Sequence, residues 1–237
     1  MNWIYNLIYG IKDKEIQELE TKLEEVTSEL EKIKEKEIIN QKEQYYTYKY
    51  PFKDISYQRT DKLGIINIDV RQFLNSNNYL LPKFTGTNDE IAFNSLIWVI
   101  KNIKYVTDKT KYGLEEYWAF GYETLNHLKG DCEDGAILLY DILRFNGISA
   151  WKIRLSAGWV SYNNKKEGHA YITYYCEETD KWVILDWCYF PNFQEIKLRP
   201  DYKNDKMYGS VWFSFNEDYS WSQGLNTSAK RVLKQHK

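Results

Sequence analysis

Cysteine is scarce in these 237 residues, and the three present, Cys132, Cys176 and Cys188, are an odd number too small to staple a chain of this length. They are read as reduced thiols. No apolar run approaches the roughly 18 residues of a membrane span, and the opening Met1-Asn2-Trp3-Ile4-Tyr5-Asn6-Leu7-Ile8 lacks the basic start of a secretory signal. Net charge is missing as well: 32 basic against 34 acidic residues provide no positive field of the kind that non-specific nucleic-acid binding requires. These absences predict a soluble, cytoplasmic protein with no nucleic-acid partner. Disorder is excluded by what is present, since 9 Trp, 21 Tyr and 10 Phe in a chain 43% hydrophobic can close a sizeable core, alone or with an appendage.

Residues 12–44 stand apart. They hold no Pro, Gly or aromatic, and 7 Lys against 11 Asp and Glu make the segment acidic, while the rest of the chain carries 25 basic and 23 acidic groups. Within it Ile16, Leu19, Leu23, Val26, Leu30 and Ile33 recur at alternating steps of three and four, the a/d seam of a coiled coil, which then fails at Glu37 and Asn40. About three heptads are marginal alone, so the helix is expected either to make a homo-oligomer through residues 12–40 or to lie against the globular part. The branching of the seam residues favours no strand number. In the first eleven residues Trp3, Ile4, Leu7, Ile8 and Ile11 form one helical face, which extends the coil or touches a membrane surface; the lack of Lys or Arg before residue 12 disfavours membrane contact of residues 1–11. The division expected is an N-terminal amphipathic, coiled-coil helix over 1–45 and a globular domain over 46–237.

In the globular part, Thr87-Asn88-Asp89-Glu90 caps a helix over 89–103. A short helix is expected near Glu123 to Leu128, stopped by Gly130. A buried helix then follows, capped by Asp131, running through Ala136, Ile137, Leu139, Tyr140, Leu143 and Phe145 to Asn146-Gly147. Three strand-like runs come next, Ala150 to Val160, His169 to Cys176 and Trp182 to Tyr189, joined by loops over 162–168 and 177–181 that are short enough for antiparallel neighbours. Met207 to Trp221 forms a last strand or a lid. A helix followed by a strand meander predicts an α+β fold with its helix laid on an antiparallel sheet.

The chemistry centres on Gly130-Asp131-Cys132-Glu133-Asp134-Gly135. A cysteine in the first turn of a helix lies beside unpaired backbone N–H groups that favour a thiolate and can bind an oxyanion. A helix end is worth only about 0.3 to 1 kcal/mol, and Asp131, Glu133 and Asp134 oppose it, so a cationic partner is needed. Of His127, His169 and His236, the last is in the tail and the first lies on the approach to the helix; His169 opens a strand, with Asp186 in the next strand to hold its tautomer. A two-residue turn at Thr179-Asp180 would put Asp186 opposite Thr173, on the face of His169 but four residues along. The residues alone leave a plainer reading open: Cys132 as a small buried hydrophobe and His169 as a hydrogen-bonded strand residue. Trp118, Trp159, Tyr171, Trp187 and Trp212 line a cleft or fill the core.

Tyr117-Trp118-Ala119-Phe120-Gly121-Tyr122-Glu123-Thr124-Leu125, Gly130-Asp131-Cys132-Glu133-Asp134, Gly147-Ile148, His169-Ala170-Tyr171 and Trp182-Val183-Ile184-Leu185-Asp186 together resemble the transglutaminase-like cysteine peptidase superfamily. The resemblance implies a papain-like core with Cys132 as nucleophile, His169 as base and Asp186 as its orienter, and it makes Trp118 a candidate to complete the oxyanion hole. Asp131 then supports the site by capping the helix, with Asp134 completing the cap, and Gly130 gives close passage to the site. Cys176 and Cys188 are core thiols. No metal or cofactor is implied: there is no Cys-x-x-Cys pair and the other histidines are scattered. The activity expected is thiol-dependent amide hydrolysis of a peptide or protein substrate through an acyl-enzyme. Protein-glutamine acyl transfer, or an inactive subunit assembling through its coil, is the alternative.

Overall fold

A computed structural model describes residues 16–34, 54–61, 64–75, 80–189 and 195–222. The chain forms two compact units, residues 1–49 and 50–237. In the first, residues 16–34 are helical (α1), and the six seam residues from Ile16 to Ile33 are 49–67% exposed. The faces assigned to residues 1–11 and the end of the seam at Glu37 and Asn40 lie outside the described residues.

The second unit begins with a hairpin of β1 (Ser56–Asp61) and β2 (Gly64–Asp69) that the sequence did not announce. A short turn after it buries Val70 and Phe73. Helix α2 (Asn88–Asn102) starts where its cap requires: the Thr87 side chain accepts from the Glu90 amide, and the Glu90 carboxylate accepts from the Thr87 amide. Then come β3 (Lys104–Tyr105), α3 (Asp108–Tyr112), α4 (Gly121–His127) and β4 (Lys129–Gly130), with β3 and β4 paired in parallel. Helix α4 stops at Leu128, which takes φ of +51°, rather than at Gly130, whose backbone is needed in β4.

Helix α5 (Cys132–Phe145) is the centre of the unit. Every residue from Glu133 to Leu143 is buried, as expected of a helix enclosed on all sides rather than laid on a surface. It ends as Asn146-Gly147 suggested, with Gly147 at φ +90° and the Ile148 amide donating to the Leu143 carbonyl.

On one side of α5 lies an antiparallel sheet of β5 (Ile153–Tyr162), β6 (Lys165–Cys176), β7 (Lys181–Leu185), β8 (Tyr208–Phe215) and β9 (Ser220–Ser222), in the order β7-β6-β5-β8-β9. The fold is α+β. Two local expectations are corrected. Residues 162–168 are not a loop: Asn163 and Asn164, at φ +48° and +62°, make a two-residue turn, and Lys165 to Gly168 belong to β6. Strand β7 does not reach Tyr189, because the Asp186 carboxylate accepts the amides of Cys188 and Tyr189 and turns the chain out of the sheet. The run from Met207 to Trp221 is two strands, β8 and most of β9.

Candidate active site

Cys132 is the first residue of α5, and its surroundings begin with three carboxylates. Asp131 occupies the N-cap position, yet its side chain does not cap; its Oδ2 accepts from the Asp108 amide at 3.3 Å. Asp134 does not complete a cap either. Its Oδ1 accepts from the Ala119 amide at 2.8 Å and its Oδ2 faces Lys111 Nζ at 3.3 Å. The reason is the segment from Thr107 to Ala119, which covers the helix start and presents amides that claim both carboxylates. Gly130 permits this closeness, since a Cβ there would lie 2.5 Å from the Asp134 Cβ.

The Cys132 carbonyl accepts the Trp187 indole N–H at 3.1 Å, and that ring lies flat enough on α5 that a Cβ at Gly135 would come within 2.2 Å of it. The thiol itself donates to Glu133 Oε2 at 3.1 Å. Burial, then Asp131 and Cys188, push the thiol well above its ordinary range; the Glu133 contact and the Ala170 amide act the other way. Burial, then Asp131, Cys132, Glu116 and Asp134, push Glu133 up as well, in keeping with a carboxyl accepting from a thiol.

His169 and Asp186 are brought together. The β6–β7 loop spans Glu177 to Asp180, so Cys176 pairs with Lys181 and Ile172 with Leu185, and Asp186 falls two residues from His169 instead of the four that a tighter turn would give. His169 Nε2 lies 2.7 Å from Asp186 Oδ2, with His169 5% exposed and Asp186 fully buried. Burial by itself would raise Asp186, but the His169 imidazole, the Cys188 amide and the Tyr208 hydroxyl hold it below the usual carboxylate range.

A cavity of about 340 Å³ has Cys132, His169, Ala170, Asp131, Glu133 and Trp118 in its wall. Trp118, expected as an oxyanion donor, stands in that wall, but its indole N–H donates to Glu116 Oε1 at 3.1 Å, and the side chain stacks on Tyr57 at 5.0 Å in the core. Tyr171, Trp187 and Trp212 are also buried, and Trp159 is half-buried.

The sequence reading passed over Asp108. Its carboxylate lies with those of Asp131 and Asp134 so that one oxygen of each is within 4.8 Å of the others. Burial, then Asp131 and Asp134, push Asp108 up to about 8; burial and Asp131 push Asp134 up to about 7 despite Lys111. Buried oxygens of Asp108, Asp131 and Glu133 accept no hydrogen bond from any described residue. A signal existed in the run Asp131-Cys132-Glu133-Asp134, three carboxylates where a cap uses one or two. Its fourth member, in α3, had none.

Residues 83–187 match the family model described as the transglutaminase-like superfamily. This segment is a transglutaminase-like core. The match begins ahead of α2 and closes just past Asp186. Among solved structures, calcium-bound LapG of Legionella pneumophila is similar at 18% identity and a TM-score of 0.47, over 65% of this chain and 82% of that one. A second LapG structure from the same organism gives 20% identity and a TM-score of 0.44, over 65% and 81%. No curated protein is a significant match in sequence. Among the described residues, no helix is long and apolar enough to cross a membrane.

Proposed function

We propose that this transglutaminase-like domain is a thiol-dependent amide hydrolase acting on peptide or protein substrates. One observation carries the reading: Cys132 and an imidazole anchored on a buried carboxylate share the wall of one cavity. With Nε2–H donated to Asp186, the other ring nitrogen of His169 is left to take the Cys132 proton. The thiolate attacks the amide carbon, and the Cys132 backbone N–H, unpaired at the first helical position, supports the tetrahedral oxygen. The C–N bond breaks as His169 returns the proton to the leaving amine, and water, deprotonated by the same imidazole, releases the acid and the thiol. Water is favoured over an amine acceptor because it needs no second binding site.

Alkylation of Cys132 at neutral pH tests the nucleophile, and a peptide-library digest tests the substrate class. Labelling that persists in Cys132→Ala would move the reactive thiol to Cys176 or Cys188. No cleavage of any library member by folded, unlabelled protein whose Cys132 is nonetheless open to alkylation would favour the inactive-subunit alternative.

The acidic cluster supports a second element of the proposal. An all-oxygen donor set with buried, unpaired carboxylate oxygens fits a hard divalent cation of the calcium type, the ion named for one of the LapG structures. Asp108, Asp131 and Asp134, with Glu133 beside them, would hold it, and its charge would offset the repulsion they create next to the nucleophile. Calcium raising the melting temperature of the wild type but not of Asp131→Asn is the result expected; equal curves with calcium and with chelator would exclude it.

The exposed seam of α1 supports self-association through residues 12–40, with a second copy of this chain as the partner.

A further inference from the structure

Asp186 accepts four hydrogen bonds from within the protein. Two are local: the amides of Cys188 at 2.8 Å and Tyr189 at 3.3 Å reach Oδ1 and set the turn after β7. The other two converge on Oδ2. One comes from His169 on β6, and the other from the Tyr208 hydroxyl at 2.8 Å, on β8, two strands away in the sheet. Packing alone does not ask for that hydroxyl. The Tyr208 ring is 4% exposed and packs edge to face with Tyr171 at 4.7 Å, a space that phenylalanine would fill equally well. The oxygen lies where a buried carboxylate can use a third anchor that does not depend on the turn.

We propose that Tyr208 is a positioning residue for the His169–Asp186 pair, its O–H pinning the carboxylate and taking a share of the oxygen that orients the imidazole. The inference rests on reading Cys132 and His169 as the reacting groups. Two donors on one acceptor oxygen compete, because each draws off charge that the other would use. Tyr208 thereby limits how tightly Asp186 pulls on the imidazole while fixing its direction. No proton leaves the phenol; burial and the adjacent Asp186 push its ionisation far up, so it stays a donor. The strand pairing carries the contact, since Tyr208 sits opposite Val160 on β5, next but one to His169's partner Gly158.

Tyr208→Phe in the full chain tests this with two readouts. The first is the downfield imidazole N–H resonance of His169, identified by its loss in His169→Gln. It is expected to move further downfield in Tyr208→Phe, where Oδ2 serves one donor. The second is the pH profile of Cys132 alkylation by iodoacetamide, whose basic limb is expected to rise by about half a pH unit or more. A residue that only fills space would lower the rate at every pH and move neither signal. Unchanged or oppositely displaced signals overturn the proposal. In an Asp186→Asn background Tyr208→Phe is expected to add nothing to the rate loss; additive losses would show that Tyr208 does not act through Asp186. Should Tyr208→Phe lose its fold, 3-fluorotyrosine at position 208, a stronger donor of nearly the same size, is expected to move both signals the other way, and no movement overturns the proposal. If wild-type alkylation does not depend on His169, the hydrolase reading fails, while the resonance still decides whether Tyr208 shares the carboxylate.

Discussion

His169 and Asp186 meet at 2.7 Å although they are not cross-strand partners. The carboxylate reaches the imidazole diagonally from the first residue after β7, so its direction depends on the amides and the hydroxyl that hold it. Asp186→Asn keeps the shape but can present its NH2 to the ring and favour the wrong tautomer. Cys132 alkylation at neutral pH is expected to fall on the order of 10²- to 10⁴-fold, with the melting temperature much less affected. A rate within a factor of two of wild type would remove Asp186 from the mechanism.

Gly135 is a glycine in a buried helix because Trp187 occupies the place of its side chain. A Cβ there would meet Cε2 and Nε1 of the indole, the ring that donates to the Cys132 carbonyl. Gly135→Ala is expected to cost about 1–3 kcal/mol in denaturant unfolding despite alanine's better helix propensity, and to slow Cys132 labelling as Trp187 shifts. A variant as stable as wild type would mean that the indole has room to move.

Asp108 supplies a pH test. Raised in the fold to about 8 from 3.8, it keeps a proton that the unfolded chain has already released. The folded form binds more protons in that window, so this group costs the wild type stability as pH rises from about 4 towards 8, and its effect levels off above. Asp108→Asn can still accept the Tyr117 amide but carries no charge. Its melting temperature, measured in metal-free buffer, should gain on wild type across that window, by a few degrees at its upper end. A constant difference at all pH values would show that neither burial nor the neighbouring carboxylates raise Asp108.

Self-association is read most directly by sedimentation. The intact chain is expected to run as an oligomer and Leu23→Asp/Leu30→Asp as a monomer, with Cys132 labelling unchanged. A wild-type monomer at tens of micromolar would leave the seam without the partner proposed for it.

How far the sequence spoke depended on whether a feature was local. Helix α2 was legible to within one residue because Thr87 and Glu90 form a capping box, and α5 because Asn146-Gly147 is a strong stop. The Asn163-Asn164 turn was misread as part of a longer loop, since two adjacent asparagines look polar before they look left-handed. Order and parity placed Asp186 on the face of His169, but the offset between them was set by a four-residue turn that pattern alone does not reveal. The capping roles given to Asp131 and Asp134 failed for another reason: the amides they serve belong to residues up to 23 positions away. Tyr208 was out of reach altogether, one of 21 tyrosines with nothing nearby to mark it.

Because α5 is enclosed from Glu133 to Leu143, the sulfur at its tip is carried by an element packed along its length. Under the hydrolase reading proposed above, selectivity then falls to the rim, where residues between Thr107 and Trp118 line the cavity. Descendants of this protein could exchange that rim for another and accept new targets while the anvil beneath stayed as it is.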